Sequence, residues 1–119
     1  MAHSSLILKS LNDFVSRHGA IFLIDATQSA GVIDLDVISL DPDFVIFPTY
    51  KWLLGPYGRA FIYIAKRHQN GIPLEQTSSG RRDVRAENAI YFADTSYVAN
   101  ARRFDMPTAI ISTMTPSTT

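Results

Sequence analysis

"DFVIFPTYKWLLGPYGRAFIYIA", residues 43–65, decides the fold. Its two ends, "DFVIF" at 43–47 and "RAFIYIA" at 59–65, are apolar runs of strand length, rich in β-branched and aromatic residues. Neither run alternates cleanly with polar residues, which suits strands covered on both faces, as in parallel sheets. Between them lies a loop, "PTYKWLLGPYG" at 48–58, with one lysine, Lys51, flanked by Tyr50 and Trp52. Charge among large aromatics is hard to solvate, so this lysine calls for a chemical reason.

Upstream, "AIFLID" at 20–25 is a further buried-strand run, closed by Asp25 and followed by the small-residue turn "ATQSAG" at 26–31. Before it, "SSLILKSLNDFVSRHG" at 4–19 carries the helical period. Ile7, Leu8, Leu11, Phe14 and Val15 form one buried face, Ser4 or Ser5 serves as N-cap, and Gly19 closes the end. "VIDLDVISLDP" at 32–42 reads as an irregular or short helical connection. Helix, strand, connection, strand, loop, strand is the order of an α/β protein with a partial mixed, mostly parallel sheet and flanking helices. After residue 65 the pattern weakens. "SSGRRDVRAENA" reads as a polar, basic loop, and "TAIISTMTPSTT" at 108–119 as a Thr/Ser tail.

Composition narrows the classes. The 119 residues carry 11 basic and 11 acidic side chains, so charge gives no reason to expect nucleic acid or an anionic membrane as partner. The absence of cysteine excludes disulfides, thiolate chemistry and cysteine-ligated metal within these residues. His3, His18 and His68 lack metal-ligand spacing. No secretory signal or run of about 20 apolar residues is present, so a cytoplasmic protein is expected.

Ligands of open α/β sheets bind beyond the carboxyl ends of strands. Asp25 ends one run and Lys51 follows another, 26 positions later. If the two strands are parallel neighbours, both groups face one crevice. They then either pair with each other or serve a cofactor. A lysine among apolar groups becomes an amine nucleophile able to form a Schiff base, and a carboxylate holds a heterocyclic nitrogen protonated. Pyridoxal 5'-phosphate needs both.

"LIDATQSAGVIDLDV" and "DFVIFPTYKWLLGPYGRAFIYIAKR" together resemble the core signature of class V aminotransferases, fold-type I pyridoxal-phosphate enzymes that include cysteine desulfurases, kynureninases and isopenicillin N epimerase-like proteins. The match is close from residue 4 to 67 and looser to "ARRFDM" at 101–106. The resemblance implies that Lys51 carries the cofactor as a Schiff base and acts as acid and base at the substrate's α-carbon. It implies that Asp25 bonds the protonated pyridine nitrogen, Gln28 the phenolic oxygen, and the Tyr50 hydroxyl the phosphate. Other readings of these residues are a helix N-cap for Asp25, a plain turn residue for Gln28 and a packed aromatic for Tyr50. Trp52 and Tyr57 are read as packing residues, and Gly55 and Gly58 as backbone conformations closed to other residues. Arg81, Arg82 and Arg85 read as a solvated loop rather than a substrate-carboxylate site. Pro107 stands where the family usually has glycine, so no phosphate role passes to Thr108.

The resemblance also implies a longer protein. Residues 1–106 read as part of the cofactor-binding large domain and 107–119 as the tail, so the chain is expected to be a fragment with weak or no catalysis by itself. The expected substrate is an amino acid, in a family of homodimers whose chemistry spans transferase and lyase reactions. Two alternatives stand beside it: a catalytically inactive binding or interaction module of the same fold, and a small flavodoxin-like domain.

Overall fold

The computed structural model describes residues 2–75, 77–82 and 96–106. In order, α1 spans Ala2–Arg17, β1 Leu23–Asp25, α2 Val37–Leu40, β2 Phe44–Pro48 and β3 Ala60–Ile64. The strands form one sheet in the order β1-β2-β3. β1 pairs with β2 in parallel, Ile24 opposite Val45 and Asp25 opposite Ile46. β2 pairs with β3 antiparallel, Val45 opposite Tyr63 and Phe47 opposite Phe61. The sheet is mixed, as expected, with one parallel and one antiparallel pair.

Because side chains alternate across a strand, this register sorts the apolar residues onto two faces. Ile24, Val45, Phe47 and Tyr63 share one face. The buried cluster of Phe22, Ile24, Ala26 and Val45 lies there, packed by Leu8 and Val15 of α1 and by Leu35 and Val37. The opposite face carries Leu23, Ile46, Ile62 and Ile64. Ile64 is buried, but Leu23 and Ile62 are exposed. Among the described residues, the expected cover on both faces is therefore provided on one. The run at 20–25 also yields a shorter strand than expected. The Phe22 N–H leaves the ladder to donate to the Asp43 carboxylate at 2.7 Å.

That carboxylate organises the end of the sheet remote from Asp25. Asp43 is buried and takes Arg67 Nε at 2.7 Å and His68 Nε2 at 2.6 Å, while the His68 ring stacks on Phe44. Arg67 also reaches Asp41, through its carboxylate at 2.8 Å and its carbonyl at 2.9 Å. One acid thus joins the starts of β1 and β2 to the chain leaving β3.

The helix differs from its sequence reading in two respects. It begins at Ala2, upstream of Ser4 and Ser5, so neither is the N-cap. Its inward stripe is Leu8, Asn12 and Val15, while Ile7, Leu11 and Phe14 are exposed on the adjacent stripe. Both stripes follow i, i+4, i+7, so apolar content alone does not choose between them. Asn12 decides the rotation. Its Nδ2 donates to the carbonyls of Leu40 at 2.9 Å and Asp41 at 3.1 Å, tying α1 to the end of α2. Gly19, at φ 66°, closes α1 as expected, with the Ala20 N–H on Val15 O and the Gly19 N–H on Ser16 O. At α2, Asp36 caps the N–H groups of Ile38 and Ser39.

Beyond β3, Arg81 pairs with Tyr97 in an isolated antiparallel bridge and lays its guanidinium over the Tyr97 ring at 3.9 Å. Arg103 holds the carbonyls of Val98 and Gly71. Arg81 is therefore engaged within the protein rather than set in a merely solvated loop. Arg85, Pro107, Thr108 and the Thr/Ser tail lie outside the described residues.

Candidate functional site

The parallel pairing of β1 and β2 places Asp25 and the lysine loop at the same end of the sheet. Asp25 is the last residue of β1. The Ala26 N–H still donates to Ile46 O at 2.8 Å, and the chain then turns, with the Ala30 N–H on Ala26 O at 2.8 Å. The Asp25 side chain shapes that turn by accepting the Thr27 N–H at 2.9 Å. The cap-like reading of Asp25 is thus visible. It is compatible with a ligand role, because the carboxylate is exposed and a carboxylate offers several acceptor sites. The Thr27 hydroxyl, followed by its N–H, holds the Asp25 carboxyl below the usual carboxylate range against a small opposing effect of burial. Asp25 is therefore an anion at neutral pH.

The lysine loop is built on Thr49, a residue the sequence reading passed over. Thr49 is buried at the exit of β2. Its N–H donates to Arg59 O at 3.0 Å, its Oγ1 to Pro56 O at 2.8 Å, and its carbonyl accepts the Gly55 N–H at 2.8 Å. These bonds close the loop around Lys51, and Leu54 takes a left-handed conformation at φ 53° to allow it. A Cβ on Gly55 would lie 2.6 Å from Thr49 Cβ, so glycine is required there for close approach. Gly58, at φ 78°, meets the conformational expectation directly.

Lys51 stands exposed on this loop with Nζ 5.5 Å from the Tyr50 ring centroid. Tyr50 stacks on Tyr57 at 4.7 Å. Among the described residues the enclosure of Lys51 expected from its neighbours is not formed: Trp52, Leu54 and Tyr57 are themselves exposed. Among the described residues no ion pair joins Lys51 to Asp25, so the reading in which the two simply neutralise each other does not describe this geometry.

Turn and loop meet through Gln28 and Trp52. Trp52 Nε1 donates to Gln28 Oε1 at 3.2 Å. Beneath that bond Gly31, at φ 91°, lies against the Trp52 backbone. A Cβ there would come within 3.2 Å of the Trp52 carbonyl and 3.0 Å of Leu53 Cδ2. Trp52, read as packing, is thus a polar link as well. Gln28 is more than a plain turn residue. Behind the contact, an apolar cavity of ≈ 370 Å³ runs under the sheet between Gly31, Leu53, Phe47 and Tyr63. Among the described residues no group of acidic or histidine side chains is arranged to hold a metal ion. No helix among them is long and apolar enough to cross a membrane.

The family model "Aminotransferase class-V" matches residues 6–110. The chain belongs to the class-V aminotransferase family. It is 47% identical over 56 residues to a probable cysteine desulfurase of Methanothermobacter thermautotrophicus, covering 47% of this chain and 14% of that protein. It is 31% identical over 101 residues to the uncharacterized aminotransferase YcbU of Bacillus subtilis, covering 85% of this chain and 25% of that one. The apo structure of a cysteine desulfurase from Thermococcus onnurineus NA1 superposes with a TM-score of 0.64 at 28% identity, over 85% of this chain and 24% of that chain. The chain thus spans a quarter or less of the length of these relatives. The class-V aminotransferases depend on pyridoxal 5'-phosphate. The groups present fit that cofactor chemically: an anion at Asp25, an amide at Gln28, a hydroxyl at Tyr50 and an accessible amine at Lys51.

Proposed function

We propose that this chain supplies the pyridine-nitrogen partner and the carrier lysine of a pyridoxal-phosphate enzyme acting on an amino acid. The observation that supports it most is the parallel β1–β2 pairing, which sets Asp25 and the Lys51 loop at one end of the sheet, with Trp52 bonded to Gln28 across the gap. When bound, pyridoxal phosphate supplies an electron sink for a bond broken at the substrate's α-carbon. Asp25 keeps the pyridine nitrogen protonated through a charge-assisted hydrogen bond. Gln28 donates to the phenolic oxygen and the Tyr50 hydroxyl to the phosphate. Lys51 is the amine that would hold the cofactor, and its side chain would be placed to move a proton at the substrate's α-carbon. A homodimeric assembly and a cytoplasmic location belong to the same proposal and rest on the family resemblance.

The exposure of the Lys51 amine favours a second reading, a catalytically inactive binding module of the same fold. A titration of the chain with pyridoxal phosphate, followed by visible absorbance, tests the first. Lys51→Ala is expected to abolish the bound signal. Asp25→Asn is expected to weaken binding about 10–100-fold, the range for a hydrogen bond to a charged group. Binding indifferent to both substitutions contradicts the proposal. Saturable binding without turnover of any amino acid supports the inactive module.

A further inference from the structure

We propose that Trp52 is a positioning residue that fixes the side-chain amide of Gln28 so that its NH₂ group is presented to an anionic oxygen of the ligand. The inference rests on the function proposed above and takes the ligand to be pyridoxal phosphate. Its starting point is chemical. An indole N–H can only donate, and the carbonyl oxygen is the one acceptor of a glutamine side chain. The contact from Trp52 Nε1 to Gln28 therefore requires Oε1 at that place. The amide cannot flip without setting two donors against each other. With Oε1 taken, Nε2 faces away from the indole with both hydrogens available, and no hydrogen bond to it is formed among the described residues.

The backbone that carries the indole is itself held in place. Gly31 lets the turn after β1 close onto the Trp52 carbonyl, and Leu53 fills the space beside it. Trp52 follows Lys51 directly, so the same contact that orients the amide also sets the height of the lysine loop above the turn. One side chain thereby couples the group that bonds the cofactor's oxygen to the residue that carries the cofactor.

The chain has a single tryptophan, so its indole N–H gives one resonance and the bond can be read without any cofactor. In the ¹⁵N-labelled full chain, Gln28→Leu is expected to shift that resonance and speed its exchange with water. Gln28→Glu, which keeps an oxygen for the indole, is expected to preserve it. An indole signal unmoved by Gln28→Leu overturns the proposal. Titration with pyridoxal phosphate then reads the consequence. Trp52→Phe is expected to weaken binding roughly 3–10-fold in the unmodified chain and to add nothing in the Gln28→Leu background. Gln28→Glu is expected to bind poorly despite its intact indole signal, because it lacks the NH₂ donor. Equal losses from Trp52→Phe in both backgrounds overturn the positioning role alone. Failure of the unmodified chain to bind pyridoxal phosphate overturns the function proposed above, and the ligand assigned to Gln28 with it.

Discussion

Replacing Asp43 by asparagine should destabilise the protein at neutral pH and make little difference in strong acid. Burial by itself pushes the Asp43 carboxyl up. The Phe22 N–H, His68 and Arg67 outweigh burial and hold it at about 2, against an ordinary 3.8. At about 1.4 kcal/mol per pKa unit, that difference is worth roughly 2 kcal/mol. Because the folded value is depressed, this stabilisation is fully present above the unfolded value near pH 4. It is lost as the pH falls through about 2. Asparagine cannot replace the carboxylate. Phe22 N–H approaches Oδ2 while Arg67 and His68 approach Oδ1, so either orientation of the amide sets NH₂ against a donor. A mismatched buried donor costs a further ~1–2 kcal/mol, and the expected total at pH 7 is about 2–4 kcal/mol. Urea unfolding of both proteins, followed by far-ultraviolet circular dichroism from pH 7 to pH 2, measures it. The gap should close between pH 4 and pH 2, where the native carboxyl becomes protonated too. A gap that stays constant across that range, or is absent at pH 7, refutes the reasoning.

Two further perturbations test the packing around the site. Gly55→Ala puts a methyl group 2.6 Å from Thr49 Cβ and should cost about 1–3 kcal/mol in urea unfolding. It should also speed hydrogen exchange at the residue 55 amide, which donates to Thr49 O. On α1, Leu8→Ala should cost about 1–3 kcal/mol, whereas Leu11→Gln should stay within about 0.5 kcal/mol, since Leu8 packs on the core and Leu11 is exposed. Equal effects at the two positions would place the helix in the rotation that its leucines alone suggest.

The strands were legible because each is an uninterrupted apolar run between turn residues, and their order already implied an α/β sheet. The ends of the two parallel strands were legible too, so Asp25 and Lys51 stood out as a pair. The rotation of α1 was not. Two apolar stripes compete on that helix, and the choice is made by buried Asn12, a polar residue that periodicity counts as outward-facing. Nor was the enclosure of Lys51 legible. Aromatic neighbours in sequence were read as neighbours in space, but on a loop they spread into solvent. Thr49 and Trp52 were missed for a related reason. Their roles are hydrogen bonds to residues seven and 24 positions away, and local pattern carries no mark of such bonds. The glycine at 31 was the available signal, since a turn that needs it implies something packed close by.

The proposed function requires that Lys51, and no other amine, bear the cofactor. The chain has three lysines, at positions 9, 51 and 66, which makes the competition simple to read. The full chain is incubated with pyridoxal phosphate at a concentration near its half-saturation, reduced with borohydride, digested and mapped by mass spectrometry. The expected result is an adduct concentrated on Lys51, with little label on Lys9, Lys66 or the amino terminus. A reduced yield on Lys51 in Asp25→Asn is also expected. Labelling spread evenly over the three lysines, or unchanged in Asp25→Asn, contradicts the proposed function.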